Sequence, residues 1–341
     1  MADAEEYVAR ARAAILAIIA TEYAVVHPEL EARISEAGNR DSDDNIDPHH
    51  VTTALRELRD AGEIRWDDAV TKGGTTITTI QPADTRLRAT RIEAAARRKR
   101  ALLARYNGWS QGTKRHPHGL IGPAGESAVR SAIWESGALQ PAEPGAGEVR
   151  ELLGVRLPGA LDSAGYLVPL DRHKIPQPPV TVLFEVKNLR SWVYPSAPEL
   201  YQLLTKAALV QTAHPDQRIV PVFVCRKAHK TTFWMAQQLG FMAIDMGIQY
   251  AGDVDEEDLY EVRSELHFQD LARGSGPSLR VRDRLKDTLP AIAQKVAGQW
   301  AETCANEELT QTLRALRTGK ANDLLAHLRA INNAMGRRGG W

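Results

Sequence analysis

The sequence predicts a mixed α/β protein with an N-terminal helical domain that ends in a β-hairpin, and with a helical C-terminal extension. Three patterns support this fold class. Residues 1–82 carry apolar positions at helical spacing, followed by an alternation of Thr and Ile that is typical of a strand. Residues 119–250 alternate helical segments with short apolar runs that are typical of buried strands. Residues 251–341 are acidic at first and helical afterwards.

The composition is that of an ordinary globular protein and excludes a disordered or fibrous chain. The 341 residues are 43% hydrophobic and 25% charged, and the 43 Lys and Arg residues balance the 43 Asp and Glu residues. Cys225 and Cys304 are too few for a disulfide framework or a zinc site. No apolar run approaches the roughly 18 residues of a membrane span, and the acidic N-terminus does not resemble a signal peptide. We therefore expect a cytoplasmic protein without membrane contact.

Residues 1–82 predict three helices and a two-stranded hairpin, in that order. The third helix is expected to begin at Pro48, with Asp47 as its N-cap, and to be closed by Gly62. This order resembles a winged helix-turn-helix domain, in which the third helix is the recognition helix that meets DNA. The candidate DNA contacts lie on that helix and at the tip of the hairpin, and they are His49, His50, Thr53, Arg56, Arg59 and Lys72.

Other interpretations of the third helix stay open. Arg56 and Arg59 can be solvated side chains that pair with neighbouring carboxylates, and winged helices also serve as protein–protein modules. The adjacent histidines, His49 and His50, are expected to face different sides of the helix, which argues against a metal pair.

Residues 83–118 predict a basic connecting helix and loop. Between residues 85 and 118, ten positive charges face a single carboxylate, that of Glu93. The charges are carried by Arg86, Arg88, Arg91, Arg97, Arg98, Lys99, Arg100, Arg105, Lys114 and Arg115. Such a density suits the phosphate backbone of DNA, because basic side chains displace its counterions. The alternative is a helix that is merely solvated.

Residues 119–250 contain the constellation that points to chemistry. Glu185 and Lys187 end the apolar strand VTVLFEVKN, so both lie on one face while Val186 turns into the core. Charged groups in such a strand are costly to bury unless they are paired or hold a metal. If the turn that carries Asp162 leads into a neighbouring strand, Asp162 and Glu185 converge. Two carboxylates and a backbone carbonyl form a hard oxygen site that suits Mg²⁺, and Glu126, near the start of a helix, can join it.

This block resembles the PD-(D/E)xK nuclease superfamily, which has the restriction-endonuclease-like fold. The motif of the superfamily maps onto Leu161-Asp162 and Glu185-Val186-Lys187, preceded by the helix residue Glu126. The resemblance covers about 130 residues and departs from the family pattern in two ways. Ala160-Leu161 stands in place of the proline before the aspartate, and Ser163 replaces an aliphatic residue after it. Asp171 is therefore retained as a weaker substitute for Asp162.

The resemblance implies a role for each matched residue. Asp162, Glu185 and the carbonyl of Val186 would hold Mg²⁺, which Mn²⁺ can replace. Lys187 would position the water, and Glu126 would supplement the ligands. Gln202 or Lys206 would be the polar residue that members of the superfamily often place on the following helix.

The function that follows is a metal-dependent DNA endonuclease, in restriction or phage defence, with double-stranded DNA delivered by the winged helix. The resemblance implies products with 5′-phosphate and 3′-hydroxyl ends. A homodimer is compatible with this architecture, because cutting both strands commonly uses two active sites. The alternatives are a non-catalytic winged-helix DNA-binding regulator whose α/β block serves oligomerisation or sensing, and a nuclease directed at RNA. On the regulator interpretation, Glu185 and Lys187 form a salt bridge at the strand end and Asp162 caps a turn.

Overall fold

The computed structural model describes residues 4–36, 45–71, 73–84, 86, 88–142, 147–317 and 331. The chain is mixed α/β, as predicted, and it divides into two compact units. Unit 1 consists of residues 1–120 and 253–273, and unit 2 consists of residues 121–252 and 274–341.

The secondary structure follows the predicted order of elements. The helices are α1 (Ala4–Glu22), α2 (His27–Ser35), α3 (Pro48–Asp60), α4 (Ala89–Gln111), α5 (Ile121–Ser136), α6 (Pro198–Ala213), α7 (Lys230–Leu239), α8 (Glu256–Glu265), α9 (Leu279–Asp283), α10 (Leu289–Ala305) and α11 (Glu307–Arg317). The strands are β1 (Ile64–Val70), β2 (Thr76–Pro82), β3 (Gln140–Pro141), β4 (Val149–Leu152), β5 (Val155–Leu161), β6 (Ser163–Leu167), β7 (Val180–Lys187), β8 (Arg218–Cys225), β9 (Met242–Asp245), β10 (Gln249–Tyr250) and β11 (Leu271–Ala272). None of the helices in the described part of the chain has the length and apolarity needed to cross a membrane.

Unit 1 begins with the predicted three helices and hairpin. The helices α1, α2 and α3 bury a common core that includes Ile15, Leu30 and Leu55, because each carries apolar residues at helical spacing. The strands β1 and β2 pair antiparallel, from Ile64 opposite Pro82 to Val70 opposite Thr76. Lys72, the predicted contact at the hairpin tip, lies outside the described residues.

The predicted domain boundaries differ from the observed ones because α4 is not a free linker. Its apolar stripe, which includes Ile92, Ala96 and Tyr106, is buried within unit 1. The ring of Tyr106 packs edge-on against Phe268, with 5.1 Å between centroids. Residues 83–118 and residues 253–273 therefore belong to the same compact unit as the N-terminal helices, and the predicted C-terminal extension is divided between the two units.

Two of the predicted DNA contacts on α4 serve the fold of unit 1. The side chain of Lys99 is buried, and its Nζ lies 2.8 Å from Oε1 of Glu29 and donates to the carbonyl of Glu265 at 2.7 Å. Arg100 forms an ion pair with Asp67 on β1. The prediction of Lys99 as a DNA contact is wrong, since its ammonium group is enclosed by these partners. Arg100 is largely covered as well, with 19% of its side chain exposed.

Unit 2 contains a five-stranded sheet with the order β3-β6-β7-β8-β9. The strand β7 is parallel to β8, and β8 is parallel to β9, with α6 and α7 as the connecting helices. The strands β3 and β6 add to the other side of β7 in antiparallel pairings. The strands β4 and β5 form a separate two-stranded sheet.

Both faces of β7 are covered, and the alternation along the strand assigns each residue to one of them. Val182 and Phe184 join a hydrophobic cluster with residues of α5 and α10. Leu183 joins a second cluster, on the other face, with residues of α6 and α11. Since side chains two residues apart share a face, Glu185 lies on the side of the sheet that α6 covers.

Within the described residues 279–317, the C-terminal region is helical, as predicted, and is interrupted only at Asn306. A π-helical turn, Arg284–Thr288, lies directly before α10, whose second residue is Pro290. Proline lacks an amide hydrogen and cannot complete the regular bonding of the preceding turn.

We expect Lys99→Met to lower the free energy of unfolding by roughly 3 kcal/mol, because it leaves the buried carboxylate of Glu29 without its closest cation. Arg97→Met, on the same helix, removes only an exposed pair with Glu93 and should cost less than about 1 kcal/mol. Urea denaturation of the two variants measures the difference. Equal losses would show that the Lys99 pair is not buried in solution.

Candidate active site

Asp162 stands at the corner between β5 and β6, where the chain enters the five-stranded sheet. Its backbone N–H donates to the carbonyl of Phe184 at 3.1 Å, which fixes the corner against β7. Its Oδ2 accepts a hydrogen bond from the backbone N–H of Val186 at 2.6 Å. The strand β6 pairs with β7, with Ser163 opposite Phe184, so the condition for convergence is met. This pairing brings Asp162 to the end of β7 that carries Glu185, Val186 and Lys187.

Asp171, the weaker alternative to Asp162, has a local role. Its Oδ1 accepts hydrogen bonds from the backbone N–H groups of His173 and Ile175, at 2.7 and 2.8 Å. This is the pattern of an aspartate that closes a turn. The structure therefore assigns the position beside Glu185 to Asp162.

Glu185 is held by two lysines. It is 3% exposed, and its Oε1 lies 2.8 Å from Nζ of Lys187 while its Oε2 lies 2.7 Å from Nζ of Lys206. Lys206 projects from α6 and also donates to the carbonyl of Ala160. Of the two predicted auxiliary residues, Lys206 contacts the cluster. Gln202 lies one helical turn earlier on α6. The residue of this helix that donates to Oε2 of Glu185 is Lys206.

The carboxyl group of Asp162 is costly to ionise. Burial and the neighbouring carboxylate of Glu185 raise its pKa to about 6, and the hydrogen bond from Val186 only partly opposes them. Glu126 adds a smaller effect in the same direction. A cation bound beside Asp162 would favour the ionised form.

Lys187 stays protonated at neutral pH. Burial on its own lowers the pKa of this lysine, but the carboxylate of Glu185, which also accepts its hydrogen bond, together with the charges of Asp162 and Glu126 outweighs burial and raises the pKa. A lysine in this state donates hydrogen bonds and carries positive charge; it does not accept a proton from water. Its chemical capacity is therefore to orient a water or to stabilise negative charge.

The cluster offers the oxygen donors that a hard cation prefers. In a strand, the N–H and C=O of one residue point to the same side, so the carbonyl of Val186 faces the side on which its N–H meets Asp162. A carboxylate has about four acceptor positions, so Glu185 keeps acceptor capacity beyond its two lysines. Asp162, Val186 and Glu185 thus fit Mg²⁺ or Mn²⁺, which bind carboxylate and carbonyl oxygens.

Glu126 lies near the site, where its charge contributes to the raised pKa of Asp162, and close packing between α5 and the end of β7 fixes its helix. The buried amide of Asn188 donates to the carbonyls of Ile121 and Tyr250, both at 2.7 Å. A Cβ atom built on Gly125 would lie 2.4 Å from Cβ of Asn188, so only glycine fits there. This contact fixes the helix beside Glu126, whose carboxylate pairs with Arg130 at 3.5 Å.

Sequence reasoning missed Asn188 and Arg130. The signal for Asn188 was Gly125, a glycine inside a helix, where this residue is otherwise unfavourable. The signal for Arg130 was its spacing of four residues from Glu126.

The predicted DNA contacts in unit 1 fall into two groups. Several are paired with neighbours: Arg59 lies over the ring of Trp66 and pairs with Asp60, Arg97 pairs with Glu93, and Arg98 pairs with Glu265. Thr53 and Arg56 are exposed on α3, and Lys114 and Arg115 are exposed in the loop after α4. The ion pair of Arg59 with Asp60 is what we expect if Arg59 is a solvated side chain paired with a neighbouring carboxylate, which is the alternative to a DNA contact.

His49 and His50 do not diverge as expected. Their ring centroids lie 3.8 Å apart, at the second and third positions of α3. The expectation assumed side chains 100° apart on a regular helix. In the first turn no preceding turn crowds the side chains, and the two rings tilt towards each other.

No protein-family model, curated protein or solved structure matches this chain. The candidate chemistry therefore rests on the geometry of the cluster itself.

Asp162→Asn is expected to stabilise the protein while abolishing the proposed activity. Because the pKa of Asp162 is raised when the protein folds, its contribution to stability is present below about pH 4 and is lost as the pH rises through about 6. The variant should therefore unfold with a free energy about 1–2 kcal/mol above wild type at pH 8, with the gain vanishing near pH 4. Asp171→Asn, which weakens a turn, should show no such gain. Urea denaturation across this pH range is the measurement.

Gly125→Ala is expected to lower the free energy of unfolding by roughly 2 kcal/mol, because its methyl group would overlap the side chain of Asn188. Gly122→Ala is the matched control on the same helix, since a Cβ there meets open space and should stabilise by roughly 0.5 kcal/mol. Thermal denaturation monitored by circular dichroism compares them. Similar stabilities for the two variants would contradict the close packing of α5 on Asn188.

Proposed function

We propose that the protein is a metal-dependent DNA endonuclease that hydrolyses phosphodiester bonds, with its active site at the end of β7. The observation that carries the proposal is the convergence of two carboxylates and a protonated lysine. Asp162 accepts from Val186 at 2.6 Å, and Lys187 donates to Glu185 at 2.8 Å. This is the residue set of the PD-(D/E)xK superfamily, which the sequence resembles.

The order of elements in unit 2 supports the same proposal. The helix α5 is followed by the short strands β3 and β4, then by β5, β6 and β7, and then by α6, β8 and α7. The resemblance implies a helix, three strands, a helix, a strand and another helix. One difference is that β5 pairs with β4 and lies outside the five-stranded sheet, although Asp162 connects it directly to β6.

Each residue of the cluster has a role in the proposed reaction. Asp162, Glu185 and the carbonyl of Val186 would hold Mg²⁺ or Mn²⁺, and Lys206 keeps the carboxylate of Glu185 in place from α6. The bound cation would supply Lewis acidity to a phosphate oxygen and to the attacking water. Lys187, which stays protonated, orients that water or stabilises the charge that develops on the phosphate. Glu126 adds negative charge beside the cluster.

DNA binding is proposed for the exposed basic residues of unit 1. Arg56 on α3 and Lys114 and Arg115 after α4 offer positive charge at the surface, which suits phosphate backbones. We further propose a cytoplasmic enzyme of restriction or phage defence that cuts both strands of a duplex as a homodimer.

Lys187→Ala should reduce cleavage of supercoiled plasmid by at least about 100-fold while DNA binding remains, because the lysine acts on the reacting groups. Cleavage is measured with methylated and unmethylated plasmid, in Mg²⁺ or Mn²⁺ against EDTA. Lys230→Ala, an exposed lysine at the start of α7, is the control and should cut like the wild type. Circular dichroism verifies that both variants are folded.

Each other outcome assigns a different function. Wild-type protein that shifts DNA and never cuts it, with or without metal, would favour the DNA-binding regulator. Cleavage that survives in Lys187→Ala would place the active site elsewhere. Preferential cutting of RNA in a parallel assay would identify a ribonuclease.

A further inference from the structure

The N-terminal end of α3 carries a second group of metal-binding side chains, in unit 1 and built from different ligand types. One carboxylate oxygen of Asp47 and one ring nitrogen from each of His49 and His50 all lie within 4.8 Å of one another. Asp47 occupies the N-cap position, Pro48 is the first helical residue, and the histidines follow at the second and third positions.

The local backbone explains why these side chains meet. Asp47 has extended dihedral angles, φ −64° and ψ 144°, which are typical of an N-cap residue and place it directly before the first turn of α3. An aspartate at this position ordinarily accepts a hydrogen bond from a backbone N–H of that turn. The carboxylate of Asp47 makes no such bond and lies by the two imidazole rings instead.

Packing from α1 supports the arrangement. The ring of Tyr7 stacks on His50, with 5.4 Å between centroids and 15° between planes. A stacked neighbour limits the rotation of an imidazole ring, so the ligand geometry is partly preorganised.

We propose that Asp47, His49 and His50 bind a divalent transition-metal ion, with Zn²⁺ as the leading candidate. Imidazole nitrogen is a ligand for Zn²⁺, Co²⁺, Ni²⁺ and Cu²⁺, whereas Mg²⁺ takes oxygen ligands. Zinc bonds to nitrogen and oxygen are about 2.0–2.2 Å long, so ligand atoms of one ion lie roughly 3 to 4 Å apart. The three atoms lie within 4.8 Å of one another, which exceeds this spacing by roughly 1 Å at most.

The charge of Asp47 is essential to the site. The N-terminal end of a helix carries a partial positive charge that opposes a bound cation. The carboxylate offsets this charge, and the neutral imidazoles do not. Three protein ligands also leave a fourth position of the ion open to water or to an acceptor group of a bound partner.

The consequence is that the metal ties the N-cap of α3 to its first turn. Because α3 is the helix proposed to meet DNA, occupancy of this site would couple transition-metal concentration to the state of that helix. The metal site itself does not rest on the nuclease proposal, since its residues belong to unit 1 and to none of the proposed catalytic groups.

The test is a Co²⁺ titration of the full chain, with any purification tag removed, followed by visible absorption. Co²⁺ serves as the spectroscopic probe, and Zn²⁺ is then added as a competitor. The wild type should bind one equivalent at a site with imidazole ligation, and Asp162→Asn, which disables the proposed catalytic site, should retain that equivalent. His49→Ala combined with His50→Ala should weaken binding by at least about 100-fold.

Matched variants make the outcome decisive. His116→Ala combined with His118→Ala removes two exposed histidines from a loop of the same unit and should leave binding unchanged. Asp47→Asn preserves the shape of the ligand and removes its charge, so affinity should fall at least tenfold. Zn²⁺ should also raise the melting temperature of the wild type, and not that of the His49/His50 double variant. Binding that is equal in the wild type and in the His49/His50 variant overturns the proposal.

Discussion

The carboxylate of Glu185 is the constraint on which the arrangement of unit 2 depends. It is nearly fully buried in a strand that is covered on both faces, and burial of an unpaired charge is strongly unfavourable. Two ammonium groups compensate it, one from Lys187 on the same strand and one from Lys206 on α6. The position of α6 on this face is therefore set by charge as well as by the apolar packing around Leu183.

Buried lysine–carboxylate pairs occur in both units, and they serve different ends. The pair of Lys99 and Glu29 in unit 1 is enclosed, with both side chains at most 4% exposed. In unit 2 a second carboxylate, that of Asp162, is held near the first, and the side chain of Lys187 is 23% exposed. Repulsion between the two carboxylates lowers the stability of the fold. Clusters of like charge that lower stability in this way are common at functional sites.

Local patterns in the sequence predict those parts of the fold and site that depend on neighbours along the chain. The strand alternation places Glu185 and Lys187 on one face, and the turn at Asp162 leads into the strand beside β7. Helical spacing and the cap at Asp47 predict α3. Lys206 was named, beside Gln202, only because members of the superfamily that the sequence resembles often carry a polar residue on the helix after the motif.

Contacts between distant segments were beyond these patterns. In the sequence, Lys99 and Arg97 are both basic residues of one helical segment. They differ in that Lys99 lies on the buried stripe of α4, which only the contacts of the folded unit reveal. The side chain of Asn188 packs so closely on Gly125 that only glycine fits there, and the two residues are 63 positions apart in the chain. Neither residue alone therefore indicates the contact. The closeness of His49 and His50 depends on side-chain rotamers, which periodicity does not specify.

The discontinuity of unit 1 bears on how the protein is made. The carbonyl of Glu265, which accepts from Lys99, lies 166 residues further along the chain, and Phe268 supplies the ring beside Tyr106. On a ribosome that adds about 5–20 residues per second, this separation corresponds to roughly 10 to 30 s. During that interval the nascent chain carries α4 with part of its apolar stripe uncovered, while the strands of the central sheet are still being synthesised. The wait exceeds the folding time of many small domains, so newly made protein should depend on chaperones most at this stage.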